Sequence, residues 1–260
     1  MTTFAVVTGA SSGIGKELAK LFAADGHGVV LVARRKDELD ALARELSAVR
    51  GVPAIVIARD LGQRESPSAI FEAVRAQSLD VEFLVNDAGF GSNGAFVEQD
   101  VERELQMVDV NVKALVELTY LFLPSMFSRG GGRILNIGST SGFQPGPFMA
   151  TYYATKAFVN SFSEALAFEL KGTGVTVTLS CPGATATQFS SSAGTDNTPP
   201  FRAAVAEPID VAREAYRAML AGKTSIIHGF KNQAGVQALR VSPHSLAIAI
   251  AAKLNRPLRS

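Results

Sequence analysis

The sequence is poor in the residues that mark several common kinds of protein. Cys181 is its one cysteine in 260 residues, which excludes an internal disulfide and agrees with a reducing, cytoplasmic setting. Lying just before Pro182, it reads as a small buried hydrophobe. Neither sign of charge dominates: 25 Lys and Arg face 24 Asp and Glu, for a formal net charge of +1, so the electrostatic footprint of a nucleic-acid binder is missing. His27, His228 and His244 stand apart, without metal-ligand spacing; loop or packing roles are expected for them, and no metal is implied. Long hydrophobic runs are lacking too. The apolar stretch "LAIAIAA", 246–252, falls far short of the roughly 20 residues a spanning helix needs. It is expected to pack or to meet another subunit, with shallow membrane association a minor alternative given Lys253, Arg256 and Arg259. The opening "MTTFAVVTGA" has no basic region followed by an apolar segment, so neither a signal peptide nor a membrane span is expected.

What is present is an alternation of short β-branched runs with helical patterns. Strands are predicted at 4–8, 28–33, 54–58, 81–85, 133–137 and 175–179, with a last one at 224–228. Helices are predicted at 15–24, 37–49, near 67–77, 101–128 and 152–171. In the second, Leu39, Leu42, Leu46 and Val49 recur at three- and four-residue steps, which defines one helical face. Strands so continuously apolar are covered on both sides, and repeated βα order with right-handed crossovers gives a doubly wound, mostly parallel α/β sheet of Rossmann type. No repeat or linker interrupts it, so one domain over 1–260 is expected. It would carry a mobile polar and proline-rich loop at about 188–207 and a C-terminal helical segment at about 233–254.

Directly after the first strand comes "TGASSGIG", 8–15. Gly9, Gly13 and Gly15 let the backbone turn tightly and approach a ligand without a Cβ in the way. The helix that follows offers free N–H groups and a positive dipole end to a pyrophosphate. The GxxxGxG spacing is not the usual GxGxxG dinucleotide fingerprint; the position after strand one carries the reading. Ser11, Ser12 and Ile14 belong to the same turn. At the end of strand two an acidic residue would bond a ribose 2′-hydroxyl, but "VARRKDE" puts Arg34 and Arg35 there. Two guanidiniums suit a 2′-phosphate dianion, so NADP(H) is preferred, with NAD(H) as the alternative. Asp37 and Glu38 belong to the next helix and are expected to point away.

"TYYATKAF", 151–158, raises a separate question. Tyr152 and Tyr153 both lie within a helical turn of Lys156, and spacing alone does not choose between them. Likewise Ser139 and Ser141 in "GSTS" are equal on composition.

With "TGASSGIG", "NDAG" at 86–89, "YYATK" at 152–156 and "PGATAT" at 182–187 in this order, the chain resembles the short-chain dehydrogenase/reductase family from about residue 4 to 190. The resemblance implies a tyrosine four residues before the lysine, hence Tyr152, with Ser139 as its serine partner and Asn111 as the helix asparagine supporting a water relay. It implies that Lys156 also holds the nicotinamide ribose, and that Asp60, followed by Leu61, contacts adenine. Asn86, Ala88 and Gly89 are expected to line the cofactor groove. After the turn at Pro182 and Gly183, Thr187 is expected to anchor the nicotinamide amide, with Thr185 a second candidate. Where Asp87 stands the family usually has a second asparagine, which leaves the local hydrogen bonding open.

Such residues suit hydride transfer. A ketone that accepts hydride becomes an alkoxide and needs a proton. A phenol can deliver it, but lowering a pKa of roughly 10 by about 3 units takes roughly 4 kcal/mol. Lys156 and an oxidised nicotinamide are expected to supply that, while Ser139 donates to the oxyanion. Ser139, Tyr152, Phe143, Phe148 and Phe189 are the expected substrate contacts, and Pro145, Pro147, Met149 and Phe201 add to an apolar environment that favours hydrophobic carbonyls or alcohols. Two other functions stay open: a related-fold epimerase or dehydratase, and a dinucleotide-sensing binding protein. A homodimer or homotetramer through the helices near 101–128 and 152–171 is implied by the resemblance.

Overall fold

All seven predicted strands form, and they join one parallel sheet. They are β1 (Phe4–Thr8), β2 (Gly28–Ala33), β3 (Ala54–Ala58), β4 (Val81–Asn86), β5 (Gly132–Ile137), β6 (Val175–Cys181) and β7 (Ser225–Ile227), in the order β3-β2-β1-β4-β5-β6-β7. Every neighbouring pair is parallel. The computed structural model describes residues 2–202 and 205–257, without the side chains of Val49 and Arg50. Val49 of the predicted helical face, Ala203 and Ala204 of the predicted loop, and Arg259 thus lie outside the description.

The helices are α1 (Gly13–Ala24), α2 (Lys36–Arg50), α3 (Ser66–Ala76), α4 (Val101–Val108), α5 (Leu115–Arg129), α6 (Ala150–Glu169), α7 (Phe189–Ala193), α8 (Pro199–Arg202), α9 (Pro208–Leu220), α10 (Phe230–Val241) and α11 (His244–Asn255). They cover both faces of the sheet, and alternation along a strand sorts the core in two. From β1, Ala5 and Val7 point to a cluster with Leu18 and Phe22 of α1, Leu39 and Leu42 of α2 and Tyr216 of α9. Phe4 and Val6 point to the other side, with Ile70 of α3 and Leu118, Phe122 and Met126 of α5. Aromatic contacts mark both centres: Phe22 sits 4.9 Å from Phe83 and from Tyr216, and Phe71 sits 5.2 Å from Phe122.

Besides α9 (Pro208–Leu220), which no predicted helix covers, three elements depart from the sequence pattern. The helix predicted at 101–128 is interrupted by a π-helical segment, Asp109–Ala114, which widens the turn around Asn111. The predicted loop contains two short helices, α7 and α8. The C-terminal helical segment is two helices, because Pro243 has no N–H to continue the first. The stretch Val101–Arg129 is also long and apolar enough, by composition, to cross a membrane. In the structure, however, its apolar residues Leu118, Phe122 and Met126 are buried in the core beside β4 and β5.

Strand order reverses between β1 and β4. Chain leaves β1 toward β2 on one side and β4 toward β5 on the other, so the loops after these two strands part and leave a crevice at their carboxyl ends.

Candidate active site

The first wall of the crevice is the glycine turn. Gly9 has φ +71°, a left-handed conformation that glycine adopts without strain. A Cβ on Gly15 would lie 2.6 Å from Asp87 Oδ2 and 2.8 Å from the Gly9 carbonyl oxygen, so this position has no room for any other residue. Ser12 caps α1 in extended conformation without a side-chain hydrogen bond, and the first N–H groups of the helix face the crevice. Thr187 stands opposite: its Cγ2 would be 3.0 Å from a Cβ on Gly13. A dinucleotide pyrophosphate fits this cradle of bare backbone and helix N-terminus. Arg35 turns back toward it and donates to Ser11 Oγ at 3.0 Å, while Arg34, Asp37 and Glu38 are exposed.

Behind the turn, Thr8 locks β1 to β4. Its Oγ1 donates to the Val85 carbonyl at 3.1 Å and accepts from the Asp87 and Ala88 N–H groups at 3.0 and 3.1 Å. Asn86 does not line the groove as expected. Its side chain is buried and donates to Thr119 Oγ1 at 3.2 Å and Asn136 Oδ1 at 2.9 Å, and Asn136 continues to Ser163. Asn86 thus ties β4 to β5 and to the helices. Leu61 is likewise in the core, leaving only its backbone for a ligand, and Asp60 accepts from the Gly62 N–H at 3.0 Å.

The four residues expected to be catalytic come together on three elements. Ser139 follows β5, Tyr152 and Lys156 lie one turn apart on α6, and Asn111 sits in the π segment; all four are buried. Such segments recur at functional sites because they re-aim a side chain. Here Asn111 accepts from the Phe90 N–H at 3.1 Å and donates to the Phe90 carbonyl at 3.0 Å and to Thr155 Oγ1 at 3.1 Å. Both its N–H bonds are thereby engaged with the chain, so its side chain positions the loop after β4 and α6. Its amide N–H groups are therefore not free to hold a relay water.

Lys156 differs from expectation in one respect. Its ammonium donates to the Ile137 carbonyl at 2.7 Å and lies 5.9 Å from the centre of the Tyr152 ring. Burial lowers its pKa to about 8, against the pull of Asp87 and Cys181. Burial pushes the Tyr152 phenol up; a hydrogen bond with Ser139 opposes this, and Tyr153 reinforces it. Ser139 is thus the near neighbour that opposes burial at the phenol, while the ammonium is anchored to β5 at longer range.

The crevice is part of one continuous cavity of about 1120 Å³ that runs from Ser12, Gly13 and Ile14 of the glycine turn past Ser139 and Tyr152 to Met149, Phe189 and Phe201 and, from the C-terminal helices, Leu239, Ile250 and Leu254. Phe189 lies 5.0 Å from the Tyr152 ring and 6.4 Å from Phe201. Two expected substrate residues are elsewhere. Phe143 packs with Val159, Leu179 and Cys181, because the 3-10 turn Thr140–Phe143 directs it at α6. Phe148 has φ +66° and lies half-buried under the Arg256 guanidinium at 5.8 Å, outside the cavity lining. Asn255, which no local pattern in the sequence marked, closes the far side. It accepts from Tyr153 OH at 3.1 Å and donates to the Pro147 carbonyl at 3.2 Å, and its own carbonyl accepts from Asn93 at 2.7 Å. Of the histidines, His228 lies between Ser180 Oγ and Glu214 Oε2, 2.8 Å from each. Though the order resembles a hydrolase triad, Ser180 is 0% exposed within the sheet, so no substrate reaches it.

Residues 3–198 match the short chain dehydrogenase family. The chain belongs to that family. Among curated relatives it is 38% identical over 193 residues to the very-long-chain 3-oxoacyl-CoA reductase of Anas platyrhynchos, covering 72% of this chain and 61% of that protein. It is equally 38% identical over 191 residues to the sulfoacetaldehyde reductase of Chromohalobacter salexigens, covering 73% and 75%. Solved structures extend the likeness to the whole fold. A 7β-hydroxysteroid dehydrogenase superposes with a TM-score of 0.87 at 28% identity, over 96% of both chains. A short-chain dehydrogenase from Sphingobium yanoikuyae in complex with NADPH gives 0.82 at 31%, over 99% of this chain and 98% of that one.

Proposed function

We propose that this dehydrogenase transfers hydride between NADP(H) and the carbonyl or alcohol carbon of a bulky, apolar substrate, with Tyr152 exchanging the proton at the substrate oxygen. One observation carries the reading: Ser139 and Tyr152 line one cavity that has Gly13 and Ile14 of the glycine turn at one end and Phe189 and Phe201 at the other. A bound nicotinamide supplies the hydride and, when oxidised, a positive charge. Ser139 orients the substrate oxygen and donates to it as negative charge develops. Tyr152 hands that oxygen its proton in reduction and takes it back in oxidation. Lys156, fixed by Ile137, holds the ribose and stabilises the phenolate at longer range. Asn111 keeps α6 and the loop after β4 in register.

Tyr152→Phe should abolish NADPH consumption with an apolar ketone while cofactor binding, followed by fluorescence titration, persists. Full turnover in this variant would remove the mechanism. The cofactor preference is supported by Arg34 and by Arg35, whose bond to Ser11 holds a guanidinium beside the phosphate cradle; a neighbouring structure binds NADPH. Arg34→Asp combined with Arg35→Ile should weaken NADPH far more than NADH, and equal losses would refute the 2′-phosphate role.

The exposed apolar residues Leu105, Tyr120 and Phe127 on α4 and α5, with Phe158 and Phe168 on α6, support pairing of two chains through these helices. A cytoplasmic location agrees with the one free, buried cysteine.

A further inference from the structure

We propose that α10 and α11 seat the protein on the surface of an anionic phospholipid bilayer, with the mouth of the cavity turned toward the lipid. That the mouth admits a substrate rests on the function proposed above; the docking itself does not.

An ordinary surface helix turns its apolar stripe to the core, and α11 does the reverse. Ala247, Ala251 and Asn255, each one turn from the next, are buried. Leu246, Ile250 and Leu254 repeat at the same step on the neighbouring stripe and are 50%, 50% and 37% exposed. The helix thus meets the body through small side chains and through Asn255, bonded to Tyr153 and Pro147, and leaves its large ones outside. From α10, Phe230 and Val241 add 84% and 88% exposed side chains. Phe230, Ile250 and Leu254 also line the cavity, which puts all three on its rim and joins the outer apolar face to the interior.

Charge selects the occupant. After Glu214 the sequence holds seven Lys and Arg and no Asp or Glu, whereas the first 214 residues hold 18 against 24. Lys231 and Arg240 on α10, Lys253 on α11 and Arg256 just after it are all exposed. Two copies paired through this face about a two-fold axis would set the same patch against itself, so like charges would meet. An anionic lipid surface instead offers a negative potential to the cations and an acyl boundary to Leu246, Ile250 and Phe230. A bulky apolar ketone partitions into the same lipid, and the rim gives it an apolar path from there to Tyr152.

The test is cosedimentation of the full chain with vesicles of phosphatidylcholine alone and of phosphatidylcholine mixed with phosphatidylglycerol. Binding should appear with the mixed vesicles and weaken as salt is added. Lys253→Glu with Arg256→Glu, both at the exposed surface, should lower that affinity about tenfold or more. Val241→Ser with Leu246→Ser should lower it several-fold while the circular dichroism spectrum is retained; should the serine pair fail to fold, the charge-reversed pair decides. Equal binding to both kinds of vesicle, none to either, or an unaltered affinity in the charge-reversed pair would overturn the proposal. So would a smaller mass by light scattering in the folded serine pair, which would show that a second copy covers this face. Vesicle binding without turnover of any ketone would refute the proposed reaction and leave the docking standing.

Discussion

Asp87 shows how one atom at a glycine contact alters a site. Its carboxyl, packed against the glycine turn, should leave a signature in the stability of the protein. The carboxyl titrates at about 7 in the fold against 3.8 in the open chain, so its favourable, protonated state is fully present below 3.8 and is lost as pH rises toward 7. Asp87→Asn should therefore match the wild type near pH 4 and exceed it by pH 8, by at most about 4 kcal/mol; urea unfolding at both pH values measures this. Other single residues were legible to different degrees. Ser139 and Tyr152 were singled out only through the family resemblance, because spacing left Tyr153 and composition left Ser141 as rivals. Phe143 and Phe148 were misdirected, because composition says that a ring is apolar but not which way it faces. A 3-10 turn sends one into the core, and the other lies half-buried under Arg256. Asn86 was misread for the same reason: a strand-end amide looks the same in sequence whether it faces ligand or sheet.

At the scale of elements, strands were the most readable because burial on both faces leaves unbroken apolar runs. The π segment was not readable, since one extra residue in a turn leaves the apolar stripe of Val110, Ala114 and Leu118 nearly unchanged. Helices as short as α7 and α8 leave no periodicity to detect. The docking of α11 was invisible for another reason: Asn255 meets Tyr153 across 102 residues of chain. Asn255→Ala removes partners from the Tyr153 hydroxyl and from the Pro147 carbonyl. It should cost about 1–3 kcal/mol in urea unfolding and raise KM for an apolar ketone several-fold, with the Kd for NADPH unchanged. A matching loss of cofactor affinity would mean that α11 supports the whole crevice rather than its apolar end.

At the scale of the molecule, fold and family were legible from the order of the glycine turn, the acid-amide turn after β4 and the tyrosine-lysine pair. Assembly was expected only by resemblance. Tyr120 and Phe127, seven residues apart on one face of α5, are 76% and 55% exposed, more apolar surface than an isolated helix face needs. Tyr120→Glu with Phe127→Glu should shift the mass by light scattering toward that of one chain, while the circular dichroism spectrum is retained. An unchanged mass would place the contact between chains on another face.

The two sides of the crevice come from different stretches of chain. The glycine turn, Asn111, Ser139, Tyr152 and Lys156 all precede residue 188. Most of the apolar wall facing them comes from Phe189, Phe201, Leu239, Ile250 and Leu254. On the proposed function, proton handling and substrate selection would thus be carried by separate stretches of chain, so replacing the last seventy residues with those of a relative should change which carbonyl is accepted while the Tyr152 chemistry is retained.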